Sequence, residues 1–185
     1  IVGQINTTYI VTEGPEGLYL IYQHAAHERG LFERIKNEMN TDTDPASQSL
    51  LEPVLIELSE VHRELLSENI QILLALGMAV EPFGDSTYLL RGVPASLGDI
   101  QPEQVLTEVL DTMNEGGGFE SWNERAAYSV ACHGAIRAGK IMSREEMEEL
   151  IRQLEECHQP NTCPHGRPTM LQLSNNQIER EFGRT

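Results

Sequence analysis

The chain has 185 residues, 39% of them hydrophobic, and its 13 basic and 29 acidic side chains give a formal net charge of −16. That length suffices for one sizeable core or two smaller ones, and no apolar run approaches a membrane span, so a soluble globular protein is expected. Three cysteines, an odd number without framework spacing, exclude a disulfide scaffold and fit a reducing compartment.

Ile5 to Thr12 alternates and is rich in β-branched residues, which predicts a strand. Gly14-Pro-Glu-Gly17 predicts a turn, giving a hairpin into a second strand at Leu18–Tyr22. From His24 the residues are helix formers to about Met39, and Asn40 to Ser47 has linker composition. Gln48 to Pro53 then leads into a strand at Val54–Leu58. Ser59 is placed to cap a helix whose apolar positions are Val61, Leu65, Leu66, Ile70, Leu73 and Leu74. Two short strands are expected near Met78–Pro82 and Thr87–Arg91, then a helix from Pro102 with Val105, Leu106, Val109 and Leu110 inward. Glu115-Gly-Gly-Gly118 ends it.

The remainder reads as mainly helical. Trp122 to about Ala138 carries closely spaced small residues suited to tight packing, with Gly139 as its stop. Ser143-Arg-Glu-Glu146 is a capping box for a helix to about Cys157. Gln159 to Pro168 is a proline-held loop, Thr169–Leu173 a strand, and Ser174 the cap of a short helix with Gln177 at the box position. There is no recognisable leader, and an opening on strand-like residues without methionine is expected of a domain from a longer protein.

Charge divides the chain more sharply than composition does. Residues 1–36 hold three basic and four acidic groups, 37–124 only Arg63 and Arg91 against seventeen acids, and 125–185 eight of each. A strongly acidic middle between nearly neutral flanks reads as an inserted second lobe. A nucleic-acid surface would therefore belong to the flanks.

The candidate chemistry lies at the two ends. Gln23-His-Ala-Ala-His-Glu-Arg29 sits where a strand turns into a helix, a usual location for sites in α/β proteins. His24 and Glu28 are four apart and share a helical face, as either a solvated pair or two donors of a divalent-metal site. Cys163-Pro-His165 places a thiolate and an imidazole two apart in a stiff loop, either a short chelate or a packed cysteine beside a surface histidine. Cys132, in the small-residue helix, reads as a core cysteine when taken alone. Cys157 with His158 is a competing ligand pair, and His62 reads as solvated.

Together, Gln-His-Ala-x-x-Glu-x-x-x-x-Glu from Gln23 to Glu33, Ala131-Cys132 with Ala135-Ile136, and Cys163-Pro-His-Gly-Arg-Pro168 resemble the C-terminal domain of the MutL mismatch-repair family, specifically its DNA-nicking members. The resemblance covers essentially the whole chain. It implies a two-lobed α/β (α+β) fold: a dimerisation and endonuclease lobe from residues 1–47 and 121–185, and an external regulatory lobe at 48–120. By motif match it makes His24, Glu28, Cys132, Cys163 and His165 zinc-ligand candidates, with His24, Glu28 and Glu33 as catalytic candidates. Glu33, five residues after Glu28, points to another helix face and is expected to support the site. Arg167 would hold a phosphate or brace the loop.

The same resemblance makes Gln48, Leu50, Leu51 and Pro53 a sliding-clamp docking motif; on composition alone they begin a strand. It implies a homodimer acting on duplex DNA, with manganese or magnesium for nicking, a mismatch-recognition partner of the MutS type, and a cytoplasmic, nucleoid-associated location. Two positions depart from the family. Tyr22 stands where the motif has Asp, which removes a carboxylate near the metals, and a phenol is a poor ligand for a hard cation. His133 replaces the usual basic residue after Ala-Cys. The alternative is thus a zinc-stabilised dimerisation and clamp-binding module without nicking activity.

Overall fold

A computed structural model describes residues 1–41, 46–97, 101–115 and 121–184. In chain order the elements are β1 (Gly3–Ile5), β2 (Tyr9–Gly14), β3 (Gly17–Tyr22), α1 (Gln23–Met39), β4 (Ser47–Glu57), α2 (Glu60–Ala75), β5 (Ala79–Pro82), β6 (Thr87–Pro94), α3 (Pro102–Glu115), α4 (Trp122–Gly134), α5 (Arg144–Glu155), β7 (Met170–Ser174) and α6 (Asn175–Glu181). Among the described residues, two antiparallel sheets and six helices make this an α+β fold. The chain forms two compact units, one from Ile1–Glu33 with Ala135–Thr185, the other Arg34–Gly134. The expected boundaries near 47 and 121 lie beside residues 42–45 and 116–120, which are outside the described residues.

In the first unit the sheet order is β1-β2-β3-β7. The single strand expected over Ile5–Thr12 is instead two. Asn6 and Thr7 take successive left-handed conformations (φ 50° and 48°), and the Thr8 amide donates to the Ile5 carbonyl at 3.1 Å. The β-branched pattern runs through this reversal, so alternation alone does not reveal it. Gly14 and Gly17 close the next hairpin. Gly17 (φ +139°) admits no side chain, because a Cβ there would lie 2.1 Å from the Leu173 carbonyl oxygen.

One sheet face, through Ile10 and Ile21, packs with Ala26 of α1, with Met142, and with Met147, Leu150 and Leu154 of α5. The helical spacing of those α5 residues supplies the stripe, and the Ser143 capping box starts the helix with both of its hydrogen bonds present. The opposite face pairs across the strands as Gly3, Val11, Leu20 and Leu171, then Ile5, Tyr9 and Tyr22, then Glu13, Leu18 and Leu173. It is largely apolar, yet Ile5, Tyr9, Leu171 and Leu173 are exposed. Gln23, fully buried at the start of α1, joins three segments. Its Nε2 donates to the Thr7 carbonyl at 2.8 Å and the Lys140 carbonyl at 3.2 Å, and its Oε1 accepts from Gln4 at 2.6 Å.

The second unit has a β4-β6-β5 sheet with α2, α3 and α4. Val105, Leu106, Val109, Leu110 and Met113 of α3 are buried, and so are Ala126, Ala127, Ser129 and Ala131 of α4, whose short side chains let the helices approach. On α2 the expected stripe is displaced. Val61 and Leu74 are exposed, and the buried face is Leu65, Leu66, Asn69 and Leu73. Asn69 leaves helical geometry (φ −121°, ψ 20°) and its side chain donates to the Leu65 carbonyl, so the helix kinks and its inward face rotates. His62, expected to be solvated, donates from Nε2 to Asp111 at 2.8 Å. His133 bonds the Ser129 carbonyl through Nδ1 at 2.6 Å and pairs with Glu108 through Nε2. Among the described residues no helix is long and apolar enough to cross a membrane.

Candidate metal centre

α1 leaves β3 directly, so the residues just after Tyr22 start a helix whose first turns face the chain's last third. His24 Nδ1 donates to the Ile136 carbonyl at 2.9 Å, and His27 Nδ1 accepts from the Ile136 amide at 3.0 Å. Both backbone groups of Ile136 are thereby taken by side chains. This is why α4 ends at Gly134 and not near Ala138, and Gly139 is left to bond the Thr7 carbonyl from a loop. The bond also fixes a tautomer: a neutral His24 with its proton on Nδ1 leaves Nε2 as a lone-pair donor, the form that ligating histidines take.

One helical turn on, the Glu28 carboxylate is 1% exposed and lies 2.8 Å from His165 Nδ1. Cys163, 2% exposed, has its Sγ 3.9 Å from the same nitrogen. Among the described residues Glu28, Cys163 and His165 each bring a ligand atom within 4.8 Å of the others. Burial pushes the Cys163 thiol above its usual range, and the neighbouring carboxylate adds to this against the backbone amides that oppose it. Cys157 is pushed up to about 11, chiefly by burial, and donates to the Gln153 carbonyl at 3.2 Å. Both thiols therefore stay protonated near neutrality unless a cation displaces the proton.

The loop bearing Cys163 is closed on itself. The Cys163 amide donates to the Arg167 carbonyl and the Gly166 amide to the Cys163 carbonyl, both at 2.8 Å, and Thr162 bridges Pro168. Arg167 thus braces the loop through its backbone. Glu33 accepts from the His158 amide at 2.6 Å and the Gln159 amide at 3.1 Å, so its carboxylate binds backbone just past α5. His24 is not a member of the three-donor group, and Cys132, half-buried on α4, belongs to the second unit. Tyr22 is half-buried, with its ring 5.7 Å from that of Tyr9 and 5.8 Å from that of His24.

Oxygen, sulfur and nitrogen donors whose separations of 2.8 and 3.9 Å bracket those of a zinc site suit such a borderline divalent cation, whose tetrahedral ligands stand about 3.3–3.8 Å apart at bonds of about 2.0–2.3 Å. Glu28 and Cys163 are buried and His165 is exposed. Arg29 went unremarked in the sequence, although it is 5% exposed: it donates from Nε to the Thr162 carbonyl at 2.6 Å and lies 3.5 Å from Glu33. By spacing Arg29 and Glu33 form an ordinary i, i+4 helical ion pair, so the sequence carried no signal for this role.

Residues 2–142 match the family model described as the MutL C-terminal dimerisation domain. The chain belongs to that family. Among its curated relatives, the DNA mismatch repair protein MutL of Phenylobacterium zucineum is 39% identical over 184 residues, covering 98% of this chain and 29% of the relative. The MutL of Sphingopyxis alaskensis is 40% identical over 185 residues, 98% of this chain and 30% of its own length. That of Syntrophobacter fumaroxidans is 37% identical over 187 residues, 100% of this chain and 28% of its own. The chain thus spans about three-tenths of the length of these MutL relatives.

Proposed function

We propose that this domain serves DNA mismatch repair as a homodimer carrying a metal-dependent endonuclease site that nicks duplex DNA. The observation that carries the reading is the convergence of Glu28 and Cys163, both buried, with the exposed His165, donors drawn from the two ends of the chain. Zinc would be held by these three, with His24 as a further candidate, and manganese or magnesium would serve the nicking step. A metal held there would supply charge neutralisation at the scissile phosphate and a more acidic water. This chain's residues hold the arrangement: Glu28 orients His165, the Ile136 carbonyl orients His24, and Glu33 fixes the backbone after α5. With a net charge of −16 the domain itself repels a polyanion, so affinity for DNA comes from the dimer, the clamp or a mismatch-recognition partner of the MutS type. A cytoplasmic, nucleoid-associated location follows from that role.

The test is nicking of supercoiled plasmid with manganese. The natural chain should produce open circles, and Glu28→Ala should reduce the rate at least about a hundredfold, the scale of losing one preorganised charge partner. Equal rates in the two would overturn the reading.

Tyr22 favours a second reading. Its ring packs against Tyr9 and His24 at the position where the family motif has Asp, consistent with a zinc-stabilised dimerisation and clamp-docking module. Inactivity of the natural chain with zinc retained would select it.

Clamp docking has its own support. Gln48 and Ser49 pair with Val93 and Gly92, but pairing resumes only at Val54 with Leu90, so three extra residues bulge from an edge strand. Gln48, Leu51 and Pro53 are exposed there, Leu51 completely, and Leu50 is half-buried. Replacing Gln48, Leu50 and Leu51 with Ala should weaken binding to a replication clamp by at least about tenfold with zinc content unchanged, since exposed apolar anchors dominate such contacts. Unchanged affinity in a pull-down or calorimetric titration would return the segment to a strand irregularity.

A further inference from the structure

We propose that Arg29, anchored by Glu33, is a positioning residue that sets where the Cys163–His165 donors stand relative to Glu28; this rests on reading those three residues as metal ligands. Glu28 and Arg29 are consecutive on α1 and reach the same loop on both sides of Cys163. Glu28 meets His165 Nδ1 at 2.8 Å, two residues after it, and Arg29 Nε meets the Thr162 carbonyl at 2.6 Å, one residue before it. One turn later Glu33 lies 3.5 Å from the Arg29 guanidinium and holds the His158 and Gln159 amides, where α5 gives way to the loop. Thr169, fully buried, ties the other side: its amide donates to the Asn161 carbonyl at 3.1 Å and its hydroxyl to the Pro160 carbonyl.

Between these ties the loop is internally closed by the Cys163–Arg167 and Gly166–Cys163 bonds, with Gly166 at φ +78°. A closed loop moves as a piece, so a shift at Thr162 carries Cys163 and His165 with it. Arg29 can hold it firmly for two reasons. Its side chain is 6% exposed, and its guanidinium lies over the Phe32 ring at 5.6 Å, which leaves few alternative rotamers. Its bond to the carbonyl is also charge-assisted and largely shielded from water. Groups that orient ligands in this way typically change metal affinity by about 10–100-fold when removed.

The experiment uses the full chain and zinc in chelator competition, with cobalt as a spectroscopic stand-in whose charge-transfer band reports a thiolate ligand. Arg29→Met keeps an unbranched aliphatic stem and removes the donors. It should weaken zinc binding about 10–100-fold and diminish the cobalt–thiolate band. The loss should shrink when Arg29→Met is made in a Cys163→Ala background, because one of the two donors that Arg29 places is then gone. Should Arg29→Met fail to fold, Arg29→Lys keeps the charge without the fixed Nε–H and should still lose affinity several-fold. Full zinc affinity with an unchanged cobalt band in the folded Met or Lys variant would overturn the proposal, as would a loss that simply adds to that of Cys163→Ala. If Glu28→Ala and Cys163→Ala themselves retain zinc, the metal reading fails and takes this proposal with it. If they lose zinc while the Arg29 variants do not, positioning alone is refuted.

Discussion

Leu171→Asp combined with Leu173→Asp should convert a dimer of this chain into a monomer without unfolding it. Both side chains are half or more exposed, so in the monomer each carboxylate stays in water and costs little. They lie on edge strand β7, in register with Leu20 and Leu18, on the sheet face that the unit's core leaves uncovered. Its apolar residues, with Ile5 and Tyr9, form a contiguous patch of the kind that marks an interface. In a twofold dimer each substitution enters the contact twice. A carboxylate buried without a partner costs about 3–5 kcal/mol, so even partial burial should raise the dissociation constant by more than about a hundredfold. Light scattering at tens of micromolar reads the result directly, and a double variant that stays dimeric would move the interface off this face.

Tyr22→Asp should raise manganese-dependent nicking by at least about tenfold, the scale expected for a group that supports a metal site. The substitution returns a hard oxygen donor beside a set otherwise built largely from nitrogen and sulfur, which favours manganese or magnesium over zinc alone. Its cost is the ring contact with Tyr9 and His24, about 1 kcal/mol, seen as a small fall in melting temperature. Zinc content should not change, because Tyr22 is not one of the clustered donors. Glu28→Ala in the same background should erase the gain. A Tyr22→Asp protein that folds, keeps zinc and nicks no faster than the natural chain would assign Tyr22 to packing alone.

What could be read in the chain order was local. Ser143 with Glu146, and Ser174 with Gln177, announce helix starts because both halves of each box lie within one turn. Val105, Leu106, Val109 and Leu110 announce a buried face because helical period and burial coincide there. Charge distribution marked an acidic middle, and the motifs at the two ends singled out His24, Glu28, Cys132, Cys163 and His165 as ligand candidates, of which Glu28, Cys163 and His165 lie close together.

Tertiary structure decided the rest wherever a side chain competes with the backbone or acts across the chain. Asn6 and Thr7 reverse a stretch whose alternation reads as one strand. Asn69 bonds back to Leu65 and turns α2 so that Val61 and Leu74 face outward. His24 and His27 take the backbone of Ile136, so α4 ends early and His24 acquires its tautomer. Arg29 and Glu33, ordinary helix charges by spacing, become ties to a loop more than a hundred residues away. Propensity and periodicity report on neighbours within a few residues. The meeting of α1 with the Cys163 loop depends on β3 pairing with β7 and α5 packing under that sheet, contacts that local pattern does not encode.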